Sequence, residues 1–293
     1  MSTTIKRLVI SVLRALFSLL PNPVLGILND IVPKFFVVFP NNRSFLYKKY
    51  LGLFSVSLDT TYPIEREMLA RVYEKGTYFT INRFVHQSNC CLDVGANVGA
   101  ISLMLAQRVG PFGKVLAFEP GPLTYSRLRR NISLNPSVAN VIETFNLGFS
   151  NKAGRLHWNE HENAKGNANL VETPGANTVS VEVTTIDDFF KNKAGCKLDF
   201  VKIDVESMEY EVILGGLATL GASEPVLYYE SLGVFEEYRK IPVFKLIQEA
   251  LAPLGYSFWF LDEQYKFQSA DYPHYADNTI AVPRGKADSL LNA

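Results

Sequence analysis

Short apolar runs alternate along the chain with longer stretches in which apolar residues recur at helical spacing. Such runs, four to six residues long and rich in β-branched or aromatic side chains, predict buried strands of a parallel sheet. The alternation of strand and helix predicts an α/β fold with a doubly wound, mostly parallel sheet and helices on both faces. The predicted parallel strands are Cys90–Val94, Lys114–Glu119, Asn140–Phe145, Phe200–Val205 and Val226–Glu230.

Helical spacing continues between and around these strands. Two further strands, Ser257–Leu261 and Thr279–Val282, follow the last long helix, and we expect them to pair antiparallel at one edge of the sheet. The predicted helices are Ile64–Tyr73, Tyr78–Val85, Val98–Arg108, Pro122–Asn131, Asp187–Lys191, Met208–Leu220 and Val243–Leu254.

Residues 146–183 interrupt this alternation. They contain several turn residues and two short alternating runs, LHW and TVSVEV. Alternation of apolar and polar residues between turn signals predicts strands. The segment is therefore predicted to be an inserted β-hairpin or flap within a domain that spans residues 61–293.

Residues 1–60 are predicted to form an apolar and basic helical extension. On a helical wheel Arg7, Ser11, Arg14 and Ser18 share one narrow stripe, and leucine and valine cover most of the rest until Pro21 ends the pattern. The extension carries seven cations and two anions.

Two interpretations of this extension stay open. The basic stripe and wide apolar face are typical of a helix in the plane of an anionic bilayer, and equally of a helix that covers the protein's own core. A membrane span is disfavoured because Arg14 interrupts it, and a signal peptide because no small-residue cleavage site follows. We expect a cytoplasmic protein; under the first interpretation its residues 1–40 contact the inner membrane surface or a lipid-linked substrate.

Composition narrows the function classes. The 293 residues have a formal net charge of +0, which argues against nucleic acid as a partner because such proteins carry a basic excess. The three cysteines, Cys90, Cys91 and Cys196, form no C-x-x-C pair and no zinc spacing. Their number and placement indicate reduced thiols in an intracellular compartment.

The stretch CCLDVGANVG predicts a strand, a tight glycine loop and a helix start. Gly95 and Gly99 permit a sharp turn and close approach of a ligand, while Asp93 and Asn97 supply polar groups. Such junctions in α/β proteins bind adenosine-type cofactors outside the carboxyl ends of the strands. Glu119 ends the next strand, where a carboxylate accepts hydrogen bonds from ribose hydroxyls.

The sequence of this loop favours S-adenosylmethionine over NAD as the cofactor. The dinucleotide fingerprint G-x-G-x-x-G is absent from the loop. Asp93 and Asn97 lie where a pyrophosphate would bind, and their side chains would repel it or bind it poorly. These groups suit the amino acid part and the positive sulfonium of S-adenosylmethionine. An oxidoreductase that uses NAD is the less favoured alternative.

A group of charged residues lies at the ends of the fourth and fifth predicted strands. Lys202, Asp204 and Glu206 alternate and so share one face of an extended strand, and Glu230 ends the next strand at the same edge. An alcohol that attacks a methyl group needs a base. We expect Asp204 or Glu206 to accept the proton, with Lys202 as charge partner and Glu230 as orienting acid.

Two other readings of these residues stay open. The carboxylate oxygens are ligands of the kind that a divalent cation prefers, although no metal ligand is assigned. Lys202 can also form a merely structural ion pair with Asp204 or Glu206, beside a solvated helix face that carries Glu209 and Glu211.

The ordered motifs DVGANVG, LAFEP, TTIDDF, DFVKIDVESMEYEVILGG and VLYYES resemble those of the FkbM-type methyltransferases, over roughly Tyr62 to Pro283. The resemblance implies a Rossmann-like class I methyltransferase fold. It implies an S-adenosylmethionine-dependent O-methyltransferase that acts on a hydroxyl of a sugar, glycolipid or secondary metabolite.

The sequence departs from the family pattern at two places. Ser207 replaces the glycine of K-I-D-V-E-G-x-E, where it either crowds the turn or caps the next helix. The segment that is often A-L-S-D begins here with Asn146, which is the cofactor-binding candidate of that segment. These departures keep a membrane-associated binding protein on a degenerate methyltransferase fold as an alternative.

Overall fold

The computed structural model describes residues 44–69, 75–159, 170–171, 178–191, 193, 197–270, 272 and 276–291. The chain divides into two compact units, Met1–Lys75 and Gly76–Ala293.

The described part of the first unit is a β-hairpin followed by a short helix. Strands β1 (Ser44–Tyr50) and β2 (Phe54–Asp59) pair antiparallel, and α1 (Pro63–Leu69) follows. Every second residue of β2 is buried, which is the period of a strand with one covered face. The predicted helical extension is therefore wrong for residues 44–59, and its residues 1–43 lie outside the described residues.

The second unit is built on an eight-stranded sheet beside a four-stranded sheet. The strands are β3 (Cys90–Val94), β4 (Lys114–Phe118), β5 (Ile142–Phe145), β6 (Gly148–Phe149), β7 (Gly154–Asn159), β8 (Leu170–Val171), β9 (Thr178–Thr184), β10 (Phe200–Ile203), β11 (Val226–Glu230), β12 (Tyr256–Leu261), β13 (Phe267–Ser269) and β14 (Asn278–Pro283). The larger sheet has the strand order β13-β12-β14-β11-β10-β3-β4-β5, and the smaller sheet has the order β6-β9-β7-β8.

Helices connect these strands. Among the described residues no helix is both long and apolar enough to cross a bilayer. The helices are α2 (Lys75–Phe84), α3 (Ala100–Val109), α4 (Pro122–Ser133), α5 (Ile186–Phe190), α6 (Glu209–Leu214), α7 (Leu217–Ser223), α8 (Gly233–Arg239), α9 (Val243–Leu251) and α10 (Arg284–Leu291).

The strand order confirms the predicted class I methyltransferase fold. Strands β3, β4, β5, β10 and β11 are parallel, and β14 pairs antiparallel with β11 and with β12. The expected antiparallel pairing of the last two predicted strands is therefore confirmed. The chain runs outward from β3 through β4 to β5 and then returns to β10 on the other side. This reversal makes a crevice at the carboxyl ends of β3 and β10, the position where open α/β sheets bind ligands.

The core explains why the short apolar runs form central strands. The described residues of β10 are all buried, as are four of the five residues in each of β3 and β4. Helix α3 covers the sheet with a run of buried residues from Ala100 to Ala106. Lys202 is the charged residue within β10 and is only 4% exposed. A buried lysine needs a negatively charged or hydrogen-bonding partner, so partners are expected near the end of this strand.

The inserted segment is confirmed as β-structure and is larger than a hairpin. The two predicted strands lie in β7 and β9, which pair antiparallel, while β6 adds parallel to β9 and β8 adds to β7. Trp158, Val181 and Val183 form a small core of this inserted sheet, with Leu156 and Met208 packed against it.

The predicted helix Met208–Leu220 is wrong as a single element, because α6 and α7 are separated at Gly215 and Gly216. A Cβ at Gly215 would lie 2.1 Å from the carbonyl oxygen of Ser150. The helix is interrupted there because the backbone of Ser150 comes this close to Gly215. Strand β13 and helices α8 and α10 have no counterpart in the prediction.

Candidate active site

The loop between β3 and α3 is shaped by three residues with left-handed backbone conformations. The φ angles are +76° at Gly95, 49° at Asn97 and +89° at Gly99. A Cβ at Gly95 would lie 1.8 Å from the carbonyl oxygen of Asp204. The loop therefore packs directly on the backbone that follows β10, which requires glycine for space as well as for conformation.

Glu119 follows β4 and faces this loop. Its Oε2 accepts a hydrogen bond from the amide of Asn97 at 3.0 Å, and its Oε1 accepts one from the amide of Gly121 at 2.9 Å. The residue is only 2% exposed. The structure thus brings together Glu119 and the glycine loop, as the spacing of the two motifs predicts.

Asn146 supports the turn after Glu119. Its side-chain amide donates to the carbonyl oxygens of Glu119 at 2.9 Å and Pro120 at 2.8 Å. The geometry makes Asn146 a residue that holds this turn, and its direct contact with a cofactor stays a prediction.

Asp93 lies in the interior at the start of the loop. It is fully buried, and its Oδ2 accepts a hydrogen bond from the Ser102 hydroxyl at 2.5 Å. Burial raises the pKa of Asp93, and the Lys202 charge counteracts part of that effect. The contacts of Asp93 are with the protein itself, so its predicted contact with a cofactor stays a prediction.

Lys202 joins the glycine loop to the acidic residues. Its Nζ lies 3.1 Å from Asp204 Oδ2 and 3.8 Å from Asp93 Oδ1, and it donates to the carbonyl oxygen of Gly95 at 3.0 Å. The predicted pairing of Lys202 with Asp204 is therefore present. One buried cation thus fixes both edges of the crevice.

Glu206 reaches the site by a different route from the predicted one. Strand β10 ends at Ile203, and Glu206 and Ser207 have φ angles of 56° and 84°. The predicted alternation along an extended strand is therefore wrong beyond Ile203. Burial, with a contribution from the Asp204 charge, raises the pKa of Glu206 to about 7.

Glu230 lies at the end of β11, the strand next to β10. Burial raises its pKa strongly, and the charges of Asp204, Glu206 and Glu209 add to this effect. Its Oε2 has no hydrogen-bond partner among the residues that the structure describes. We expect Glu230 to carry a proton at neutral pH.

Glu209 is a member of the site that sequence reasoning missed. The alternative with Glu209 on a solvated helix face is wrong, because the residue is fully buried at the start of α6. Its Oε1 accepts a hydrogen bond from the amide of Val205 at 2.9 Å, and burial raises its pKa to about 8. The helical spacing predicted over Met208–Leu220 did not show which face of the helix is covered.

Arg239 of α8 holds the turn that contains Ser207. Its guanidinium donates to the carbonyl oxygen of Ser207 at 2.8 Å and forms a two-pronged pair with Glu211 at 2.8 and 2.5 Å. Met208 precedes α6 without a side-chain cap, so the expectation that Ser207 caps this helix is wrong. Ser207 is 8% exposed and occupies a glycine-like conformation in a closely packed turn.

No group of three or more histidine, cysteine, aspartate or glutamate side chains is arranged to hold a metal ion within the described part of the chain. Burial raises the pKa of three acids of this site, Glu206, Glu209 and Glu230. A carboxyl with a pKa near 7 beside others that keep their protons can exchange a proton with a bound hydroxyl.

Curated proteins similar to this chain include several methyltransferases. Methyltransferase sdnD of Sordaria araneosa is 32% identical over 154 residues, covering 42% of this chain and 59% of that protein. Hexuronic acid methyltransferase AglP of Haloferax volcanii is 28% identical over 158 residues, covering 54% and 61%. The 2-O-methyltransferase NoeI of Sinorhizobium fredii is 25% identical over 146 residues, covering 44% and 58%.

The matches thus span about three fifths of the length of these relatives. The family model described as the methyltransferase FkbM domain matches residues 93–258, which is more than half of the chain. This range begins at the glycine loop and includes Glu119, the inserted sheet and the acids after β10 and β11. The chain belongs to the FkbM methyltransferase family.

Proposed function

We propose that this protein is an S-adenosylmethionine-dependent O-methyltransferase that acts on a hydroxyl of a sugar or of another small metabolite. The observation that carries the proposal is the contact of Gly95 with the backbone of Asp204, bridged by Lys202. It brings the glycine loop and a group of acids together in one crevice. Membership of the FkbM family supports the same reaction class.

The residues present fit the cofactor. The Glu119 carboxylate is a suitable acceptor for ribose hydroxyls, and the glycine loop offers backbone groups with no side chain in the way. When bound, S-adenosylmethionine supplies a methyl group that its positive sulfur already activates. The task of the protein is then to align the acceptor oxygen and exclude water.

Glu206 is the acid best suited to accept the hydroxyl proton. Asp204 is engaged with Lys202 at 3.1 Å, whereas the pKa of Glu206 lies at about 7, where a base is half ionised at neutral pH. Glu230 keeps its proton and can donate a hydrogen bond that orients the acceptor. Lys202 holds Asp204 and the loop in position.

The class of acceptor is suggested by relatives and by this chemistry together. One relative is named for methylation of a hexuronic acid, and another for 2-O-methylation. A sugar offers weakly acidic hydroxyls, which need the base that Glu206 provides. We therefore propose sugar hydroxyls, free or within a glycolipid, as the first acceptors to test.

The deciding experiment is transfer of a labelled methyl group from S-adenosylmethionine to cell fractions that contain sugars, polysaccharides or lipids. We expect alkali-stable label in a carbohydrate-containing product, because a methyl ether resists the hydrolysis that removes a methyl ester. Binding of S-adenosylmethionine without transfer to any fraction would favour the degenerate binding protein. Binding of NAD alone would favour an oxidoreductase.

A role for a divalent cation is tested in the same assay. We propose that the base-assisted route operates without one, so that treatment with a chelator leaves the rate unchanged. Loss of activity that magnesium or calcium restores would instead assign the carboxylates to a metal.

We also propose peripheral contact of residues 1–40 with the cytoplasmic face of a membrane or with a lipid-linked acceptor. Support comes from the sequence alone, from the basic stripe with Arg7 and Arg14 on a wide apolar face. Removal of residues 1–40 should reduce sedimentation of the protein with anionic vesicles. Unchanged sedimentation would contradict the proposal.

A further inference from the structure

Trp158 of strand β7 carries a buried polar atom that the fold leaves unsatisfied. The residue is 8% exposed, and its indole Nε1 has no hydrogen-bond partner among the residues that the structure describes. An unpaired buried donor is costly, so such a group in a folded protein calls for an acceptor from elsewhere.

The indole edge lies at the turn that follows Glu119. A Cβ placed on Gly121 would be 2.4 Å from Trp158 Nε1, 2.8 Å from its Cε2 and 3.0 Å from Glu119 Oε1. Gly121 has an ordinary φ of −66°, so glycine is needed here for space and not for conformation. The indole nitrogen and the Glu119 carboxylate thus both lie close beside Gly121.

These two groups have complementary hydrogen-bonding roles. The Glu119 carboxylate is an acceptor, whereas the indole N–H is a donor with no acceptor function. A ribose hydroxyl can donate to one group and accept from the other at the same time. A nucleoside ribose therefore matches this pair, while a phosphate would be repelled by the carboxylate.

Trp158 also connects this turn to the acidic residues. Its ring belongs to the core of the inserted sheet with Val181 and Val183, and Met208 packs against that core. Met208 follows Glu206 and Ser207 in the turn that begins α6. The small core that contains Trp158 thus packs against the residue that follows Ser207, while its indole lies beside the turn after Glu119.

We propose that Trp158 is a cofactor-binding residue whose indole N–H donates a hydrogen bond to a ribose hydroxyl that Glu119 also binds. The inference rests on the proposed function, because it takes an adenosine cofactor as the ligand. It gives the inserted sheet a role in cofactor binding that no loop motif of the chain indicates.

Calorimetry with S-adenosylhomocysteine tests the proposal. Trp158→Phe removes the N–H and keeps an aromatic ring, and we expect binding about tenfold weaker, the ordinary effect of one lost hydrogen bond. Trp259→Phe is the matched control, because Trp259 Nε1 donates to Ser257 on strand β12, four strands from β3. This variant should bind as the wild type does.

Ligands that lack one ribose hydroxyl identify the contact. With either the 2′-deoxy or the 3′-deoxy analogue of S-adenosylhomocysteine, Trp158→Phe should cost much less affinity than with the parent ligand, since the bond is already absent. An equal loss with all three ligands would overturn the ribose contact.

A spectroscopic measurement covers the case in which Trp158→Phe does not fold. The chain has two tryptophans, so the Trp259→Phe protein labelled with ¹⁵N-tryptophan gives one indole signal, that of Trp158. We expect that signal to move on addition of S-adenosylhomocysteine, and an unmoved signal would overturn the proposal. Wild-type binding with an unaffected Trp158 defeats this inference alone, whereas no wild-type binding defeats the proposed function as well.

Discussion

Carboxyl groups of one chemical type acquire different states in this site because their surroundings differ. Burial raises the pKa of Glu206 to about 7 and that of Glu209 to about 8, and it raises the pKa of Glu230 still further. Groups whose pKa values are pushed apart can serve as base and as acid in the same crevice. The immediate surroundings of each carboxyl group therefore determine whether it serves as a base or as an acid.

Replacement Glu206→Gln should lower kcat by a hundredfold or more, the ordinary contribution of a general base. Binding of S-adenosylhomocysteine should not change, since the cofactor is held elsewhere. In the wild type the rate should rise with pH as Glu206 loses its proton around pH 7, and this rise should vanish in the variant. Initial rates between about pH 6 and pH 8 measure both effects.

Glu263→Gln is the control for this substitution, because Glu263 is exposed in the turn between β12 and β13. It should keep the wild-type rate and pH profile. A Glu206→Gln enzyme with full activity would contradict the assignment of the base.

The buried Glu209 should make the folded protein less stable as the pH rises. Its pKa is about 8 in the folded state against the ordinary 4.5, so the unfolded chain loses this proton first. The associated stability is present below about pH 4.5 and is lost as the pH rises to about 8. Glu209→Gln should remove part of this decline, on the order of a few kcal/mol between about pH 5 and pH 8.

Urea unfolding at the two pH values measures the decline, with Glu263→Gln again as the unaffected control. An identical decline in Glu209→Gln and the wild type would show that the folded state holds Glu209 ionised.

At the scale of elements, the junction between β3 and α3 does most to build the crevice. Its loop lies against the backbone after β10, and Gly95 is the point of contact. Helix α8 secures the opposite turn through Arg239 and Ser207. Both turns use left-handed backbone conformations, which extended strands and helices do not supply.

Gly95→Ala should destabilise the protein by more than about 3 kcal/mol, because its methyl group would overlap the Asp204 carbonyl oxygen. Gly255→Ala is a closely matched control. Its φ of +77° is nearly that of Gly95, but a Cβ there meets nothing within 4 Å. It should lose only the conformational cost of about 1–2 kcal/mol. Urea unfolding compares the two variants, and equal losses would contradict the close approach of the loop to β10.

At the scale of the whole molecule, the parallel sheet and its point of reversal place the cofactor loop and the acids at one edge. The inserted sheet adds a second layer, whose core includes Trp158 and contacts Met208. Under the proposed function, a cofactor at this edge contacts the ends of β3, β4 and β10 together with the inserted sheet. The stability of the whole second unit should therefore respond to the cofactor.

S-adenosylhomocysteine at a hundred times its dissociation constant should stabilise the folded protein by about 2.7 kcal/mol. For a domain of this size the melting temperature should rise by about 5–10 °C. NAD at the same concentration should leave it unchanged. Calorimetric melting measures both ligands, and an equal rise with NAD would count against the proposed cofactor.

The sequence by itself determined seven of the eight strands of the larger sheet, the glycine loop, the position of Glu119 and the inserted β-structure, because these follow from residue type and short-range periodicity. It assigned residues 44–59 to a helix, although every second residue of β2 is buried as in a strand. It also joined α6 to α7, since no local pattern shows that the backbone of Ser150 passes within 2.1 Å of a Cβ at Gly215.

Only the tertiary structure decided which acids keep their protons, that Glu209 is buried, and that Trp158 meets the turn after Glu119. Each of these depends on contacts between segments far apart in the chain, and the local spacing of residue types does not predict such contacts. Burial by distant segments sets the energy of a charge or of an unpaired donor. For this reason the fold could be read from the chain, while the chemistry of the site required the packed molecule.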